Sequence, residues 1–463
     1  RHQGRVLDQG ERDPHRGRNV VVTGIDRITE ADRPRRSAST FRRLSRPRLG
    51  RSVAVGLVAT LLLAACAGSD RVSEAPSARP SPRESPALTA STATPVRVQL
   101  RGTIRAEFAG YVAAIDEGYY EEADLDVTLV EAGPGFDVVA AGSASDGPEF
   151  TVAWVPSVLE RRGKDQSDLV DIGQIFQRSG TLSLSWRDAE ITSPAAFRDR
   201  RVGIFGSGDG LEVLAGAIRG GLRPETDFTA VTQRSDLDGP ISENLDVAQA
   251  TIYDGYARVL ESTNPRTRAL YASSDLNVIN WYDEGTAMLQ DAIFARRSWL
   301  TADGDEAVAQ RFLKATFQGW IHCREHAAAC VQSTVDAGSK EVVSSGSSRG
   351  ASPVPSGQAA SPAPSGESSA VPRPTFGAGH HAWSMNEVNA LIWPSPAGIG
   401  VVDRSLWEHT VQVCLEAGFI PAVPAEDAVR SDLARVALAE LVDIDTAGLA
   451  FAKSTVEITP DGT

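Results

Sequence analysis

The run Phe108–Val130, FAGYVAAIDEGYYEEADLDVTLV, sets a helix, a turn and a strand side by side. Ala109, Val112, Ala113 and Ile115 recur at helical spacing, and Gly118 ends that helix. Tyr119–Asp124 make the turn, after which Leu125, Val127 and Leu129 alternate with Asp126 and Thr128 at the period of a strand. Another strand, Val96–Leu100, comes before it. Strand, helix, strand opens an α/β lobe with a mostly parallel sheet. Ligands of such sheets gather at the carboxyl ends of the strands. The loop Arg101–Phe108 and Tyr111 are therefore expected to face a ligand.

With 463 residues the chain is long enough for two lobes. Its charge is unevenly placed: residues 1–51 hold 14 Arg and 6 acids, while the remainder carries a net −22. An acidic body of that size excludes nucleic acid as a partner. Residues 1–40 are expected to be disordered or to lie outside the translated chain. The arginines at 42, 43, 46, 48 and 51 lead into the apolar run Val53–Ala65, which has 13 residues. A membrane-spanning helix needs about 20, so the run reads as the core of a signal peptide. It closes on Leu63-Ala64-Ala65-Cys66, which resembles a bacterial lipobox. Cys66 is thus expected to be lipidated and to anchor the protein on a membrane. Residues 66–95 and 339–379, rich in Ser, Pro, Ala and Gly, lack the apolar side chains for a core. The first reads as a tether and the second as a surface loop.

Between them strand and helix signals alternate: strands at Glu149–Trp154, Leu169–Phe176, Thr181–Ser185, Arg201–Phe205, Asp246–Ile252, Val278–Trp281 and Asp291–Ala295. Gly206-Ser207-Gly208-Asp209-Gly210 follows a strand and opens a helix, so its free N–H groups suit a carbonyl or an anion. Asp209 opposes an anion and tilts the expectation to a neutral polar ligand. Its glycines do not match a Walker loop or a dinucleotide fingerprint, and Ser207 or Asp209 serves equally well as a helix cap. Trp154 and Trp393 are the aromatic candidates for stacking on a planar ring, or else core residues. Tyr253-Asp254 offers a hydroxyl and a carboxylate to an amino-pyrimidine edge, or caps its helix. Cys323 and Cys330 stand seven apart, about 10.5 Å on a straight helix at about 1.5 Å per residue. That is too far for a disulfide unless the helix breaks. His322 and His326 lie beside them, but no second ligand pair completes a metal site. No nucleophile motif is present, and no Lys or His lies between Cys66 and Gly163. Neither a catalytic residue, a cofactor nor a metal is expected.

Gly110-Tyr111, then Glu117-Gly118-Tyr119-Tyr120-Glu121-Glu122-Ala123-Asp124-Leu125-Asp126-Val127, resemble the opening signature of a family of extracytoplasmic solute-binding proteins. The family binds sulfonates and taurine or thiamine-pyrimidine precursors. Further likenesses follow in order at Gln177–Thr181, Val202–Phe205, Tyr253–Glu261, Gly285–Asp291, Gly319-Trp320 and Trp383–Asn389. They cover roughly 96–335 and 380–418. The resemblance implies a two-lobed, periplasmic-binding-protein-like (type II) α/β fold with the ligand in the cleft. Lobe one would be 96–185 plus 286–463, and lobe two 186–285. It implies an ABC permease and ATPase as partners, a monomer, and ligand contacts from Tyr111, Trp154, Gly180, Thr181, Ser207, Gly208, Asp209, Tyr253, Asp254 and Trp393. Pyrimidine binders usually read Tyr-Asn-Glu-Tyr where this chain has Tyr253-Asp254-Gly255-Tyr256, so a Glu contact is missing here. Fungal relatives of the fold are thiamine-pyrimidine synthases with a Cys-rich iron motif, which this sequence lacks.

Overall fold

The computed structural model describes residues 93–339 and 376–463, apart from 134, 207, 234–236, 238 and 303. The expected signal peptide, the Cys66 lipid site, most of the 66–95 tether, most of the 339–379 loop and Ser207 lie outside the described residues. The tether's last two residues, Thr94 and Pro95, instead open the first strand, paired with Leu125 and Asp126. The opening unit forms as its pattern dictates. β1 (Thr94–Gln99) leads into α1 (Ala109–Asp116), and Gly118 takes the left-handed backbone, φ +76°, that ends the helix. The expected turn contains one helical turn, α2 (Tyr119–Glu122), because Tyr120 is drawn inward: its ring stacks on Phe312 at 5.4 Å and its hydroxyl bonds Thr316 at 2.8 Å. β2 (Leu125–Val130) then pairs parallel to β1 along its whole length.

After α3 (Val138–Ser143), the strand β3 (Phe150–Trp154) runs into α4 (Val155–Asp165) and β4 (Leu169–Gln174). The chain then leaves this sheet. It makes β5 (Thr181–Trp186), β6 (Arg201–Phe205), α5 (Leu211–Arg219), β7 (Thr229–Gln233), β8 (Ala248–Thr251), α6 (Gly255–Glu261) and β9 (Leu276–Asn280). It returns as β10 (Asp291–Arg296), which slots antiparallel between β3 and β4. The first sheet therefore has the order β2-β1-β3-β10-β4. The excursion builds a second sheet, β8-β5-β9, and a parallel pair, β6-β7, joined to it by a bridge from Val202 to Val247. One excursion and one return is the topology of a two-lobed fold. β5 was expected in the first lobe. It pairs instead with β8 and β9, so its backbone belongs to the second sheet.

The rest of the chain packs on these sheets: α7 (Arg297–Leu300), α8 (Asp305–Glu325), α9 (Ala327–Ser339), α10 (Ala378–Ile392), α11 (Arg404–Glu416) and α12 (Ser431–Ala439). The main core lies between the first sheet and helices α1, α8 and α10. α1 crosses α8 at a point where a side chain on Gly110 would meet Trp320 at 2.2 Å, and one on Gly319 would meet the Gly110 carbonyl at 2.0 Å. Two family-like motifs are thus the two halves of one helix crossing. α8 and α9 are parted by a break at His326, φ −128° and ψ 49°. The break brings Cys323 and Cys330 to a Cα separation of 5.3 Å, and they form a disulfide. Both sulfurs are thereby spent, and His322 and His326 stack on each other, 4.6 Å between centroids, with His322 Nε2 3.6 Å from a Glu117 carboxylate oxygen. Among the described residues no helix is long and apolar enough to cross a membrane.

Candidate functional site

The carboxyl end of β1, the end of β3 and the start of β10 converge on one carboxylate. Asp291 opens β10 and pairs opposite Trp154. Its oxygens accept from Arg101 Nε at 2.6 Å, Arg101 Nη2 at 3.2 Å and the indole N–H of Trp154 at 3.2 Å. Arg101 lies over the Trp154 ring at 5.1 Å and the Phe108 ring at 5.7 Å. Burial opposes the guanidinium's charge most strongly, but Asp291, Tyr253 and Glu107 together outweigh it and hold Arg101 well above its usual range. Nη2 also donates to the Tyr253 hydroxyl at 2.7 Å, a bond from the first sheet's loop to a residue two positions before α6. The third nitrogen, Nη1, makes no hydrogen bond among the described residues.

Asp209 stands on the second sheet's side, in the turn after β6. Its carboxylate accepts from Ser157 of α4 at 2.8 Å, and its carbonyl accepts from the Gln249 amide at 2.9 Å. It caps nothing, since the Ncap of α5 is Gly210. Burial pushes its carboxyl up to about 6, against the pull of Arg101. Gly208, φ +90°, lies so close to Ser157 that an added Cβ would stand 3.1 Å from it.

Asp254 does not cap α6 either. It pairs with Arg105 at 2.5 Å, Arg258 at 2.5 Å and His380 at 3.3 Å, and His380 pairs in turn with Glu261 at 2.9 Å. Burial opposes the Asp254 charge, yet His380, Arg105 and Arg258 hold its carboxyl far below the usual range. His380 is buried too, and the two carboxylates raise it all the same.

Gly180 and Thr181 stand where the chain crosses between the sheets. The Gly180 N–H donates to Gln290 Oε1 at 2.8 Å, and Gln290 Nε2 donates to the Thr181 hydroxyl at 2.6 Å. Gln290 lies on the returning segment, so it ties both crossings together. Glu212 of α5 joins them, accepting from Ser179 Oγ at 2.8 Å and Met288 N at 2.6 Å. A Cβ on Gly180 would come within 3.0 Å of the Tyr253 ring. Tyr111 is buried with its hydroxyl unpartnered and its ring edge-on to Trp320 at 6.0 Å. Burial, with Tyr120 and Asp291 nearby, holds that hydroxyl well above its usual pKa. Trp393 stands apart, between Gly448 and Arg324, whose guanidinium is 4.5 Å from its ring.

The structure therefore brings together Trp154, Gly208, Asp209, Gly180, Tyr253 and Asp254, and sets Trp393 elsewhere. Arg101, Arg105, Ser157 and Asp291 were missed as individual residues. The loop holding the two arginines, and the Gly285–Asp291 likeness, were the signals that pointed to them. Among the described residues no group of His, Cys, Asp and Glu is placed to hold a metal.

No curated protein matches the chain. A sequence model of the NMT1/THI5-like family matches residues 105–329. Among solved structures, a Bordetella bronchiseptica RB50 protein aligns at TM-score 0.53 with 13% identity, over 76% of this chain and 98% of its own. The alkanesulfonate-binding protein SsuA of Xanthomonas axonopodis pv. citri, bound to MOPS, aligns at 0.45 with 12% identity, over 73% and 98%. The periplasmic nitrate-binding protein NrtA of Synechocystis PCC 6803 aligns at 0.44 with 14% identity, over 80% and 94%. The first shares this chain's fold at that identity. The segment 105–329, which holds Arg105, Trp154, Asp209, Tyr253, Asp254 and Asp291, is similar to the NMT1/THI5-like family, and the chain has a two-lobed, periplasmic-binding-protein-like α/β fold.

Proposed function

We propose that this protein is the solute-binding component of an ABC importer, and that its ligand is a small amino-heterocycle of the thiamine-pyrimidine-precursor type. The cleft lies between a lobe built on the five-stranded sheet and a lobe built on β5–β9. The two crossing segments tied by Gln290 form the hinge. On this reading the protein works outside the cell membrane, monomeric, anchored through a lipid on Cys66, and delivers its ligand to a permease and ATPase.

The observation that carries the ligand class is the charge balance around Arg101. Its guanidinium is already matched by Asp291, and Asp209 adds a further carboxyl within its electrostatic reach. A fully charged sulfonate would meet two carboxylates for one arginine, and like charges at close range cost binding. A neutral amino-heterocycle meets complementary groups. Titrating near 6, Asp209 accepts from an exocyclic amine when ionised and donates to a ring nitrogen when protonated. Arg101 Nη1 supplies a second donor. Trp154 has its face under Arg101, so it positions the Arg101–Asp291 pair and the planar ligand lies beyond the guanidinium.

The sulfonate reading is favoured by that same Nη1 and by Arg105 nearby. A thermal-shift screen of the purified protein decides between them, using thiamine precursors, riboflavin, taurine and alkanesulfonates. The expected result is a rise in melting temperature with the aminopyrimidines. A rise with sulfonates alone would overturn the ligand class and leave the binding role standing. Release of a pyrimidine phosphate by the protein supplied with pyridoxal phosphate and iron, with a histidine of the chain giving the second ring nitrogen, would overturn the binding role in favour of a synthase.

A further inference from the structure

One short loop sends two arginines to two consecutive residues of the opposite sheet. Arg101 and Arg105 stand four apart after β1. The loop is fixed to the first sheet. The Gly102 carbonyl accepts from Ala132 N at 3.2 Å, and the Ile104 N–H donates to Glu131 at 2.6 Å. Their targets, Tyr253 and Asp254, follow β8 of the second sheet. Arg101 reaches the Tyr253 hydroxyl at 2.7 Å and Arg105 the Asp254 carboxylate at 2.5 Å.

The receiving side is rigid. Arg258, one helical turn on, holds Asp254 from behind, and His380 braces it from α10 while pairing with Glu261 of α6. The Phe376 ring lies under both Arg105 and Arg258, at 5.4 and 4.1 Å. α10 itself spans the two sides. Trp383 donates its indole N–H to the Ile252 carbonyl at 2.8 Å, next to Tyr253, while Leu391 and Ile392 pack in the first sheet's core.

We propose that Arg105, with Arg101, is a positioning residue: a clasp that holds the start of α6 against the first sheet by contacts internal to the chain. The inference rests on reading the space between the sheets as the ligand cleft. In a two-lobed binder, ligand contacts with both lobes supply the bias towards closure. Here the chain's own side chains supply part of it, so Tyr253 is already in place when the ligand arrives. Such preorganisation raises affinity by cutting the ordering cost of binding. Conversely, when the competent fraction falls, apparent affinity falls in proportion.

The test is the distance across the cleft, measured by double electron–electron resonance on the full chain. Asp126 and Thr229, both exposed, are replaced by a ketone-bearing amino acid for nitroxide coupling. The wild-type background is expected to give one narrow distance with no ligand added, unchanged by 4-amino-5-hydroxymethyl-2-methylpyrimidine. Arg105→Ala is expected to give a longer, broader distribution that returns to the wild-type distance at saturating aminopyrimidine. Its affinity weakens by roughly tenfold if the closed fraction falls to about a tenth. Arg105→Lys restores the narrow distance. Because a ligand also refolds an unstable variant by mass action, the far-ultraviolet circular dichroism of ligand-free Arg105→Ala is recorded alongside, and an unchanged spectrum separates opening from loss of fold. If Arg105→Ala does not fold, Tyr253→Phe, which deletes only the hydroxyl, makes the same comparison. A broad wild-type distribution, or an unchanged one in Arg105→Ala, overturns the clasp. A variant that opens and is not reclosed by aminopyrimidine leaves the clasp standing and overturns the ligand class.

Discussion

Glu212 is a buried acid bonded to both crossing segments, through Ser179 Oγ and Met288 N. It is 1% exposed, and burial pushes its carboxyl up to about 7 despite bonds from Met288 N and Ser179 Oγ. The native protein therefore holds this proton to a higher pH than the unfolded chain does. Stability contributed by protonated Glu212 is complete below about pH 4.5 and falls as pH rises towards 7. The loss amounts to roughly 3 kcal/mol. Glu212→Gln should flatten the melting-temperature profile across that window and leave the protein more stable at pH 8. An unchanged profile would mean that Glu212 does not hold its proton there. Asp171, pushed up to about 8 by burial in β4, adds a slope of the same sign. Gly110 makes a purely steric prediction. Alanine in a helix gains about 1 kcal/mol over glycine, but its methyl would sit 2.2 Å from the Trp320 ring. Overpacking costs about 1–3 kcal/mol, so Gly110→Ala should lower the denaturation midpoint, and a raised midpoint would contradict the crossing described.

Among the elements, the ones best read from sequence were those with a clean period. α1 and β2 follow the 3.6 and 2.0 spacings of Ala109–Ile115 and Leu125–Leu129. The alternation in Thr181–Ser185 revealed a strand but not its sheet, because period-2 spacing carries no information about the partner. The site residues missed by name, Arg101 and Arg105, sit in a loop with no periodicity, and their partners lie about 150 to 190 residues away. Asp254 and Asp209, plausible caps by position, turn out to pair with side chains that only the fold brings near. The break at His326 was likewise invisible in spacing, although the conditional it settles was not. Closing that short loop constrains the unfolded chain, so Cys323→Ala with Cys330→Ala should cost roughly 2 kcal/mol. Denaturant unfolding of the double variant against the parent measures it. No change would mean that packing at Trp320 and Ile321 holds the two helices without the bridge.

At the scale of the described fold, two sheets are joined by two crossing segments within one compact unit, spanned again by α10. The fold was legible because strand and helix signals alternate over the length of the chain and return at Asp291. The ligand was not, since its class rests on how Arg101, Asp291 and Asp209 balance in three dimensions. That balance decides between a neutral heterocycle and a sulfonate, and isothermal titration calorimetry measures which of them binds. The protein is titrated at pH 7 with 4-amino-5-hydroxymethyl-2-methylpyrimidine and, separately, with ethanesulfonate. A saturable heat with the pyrimidine, weakened in Asp209→Asn, and none with the sulfonate is the predicted result. Saturable binding of ethanesulfonate, strengthened in Asp209→Asn and with no heat from the pyrimidine, would contradict it.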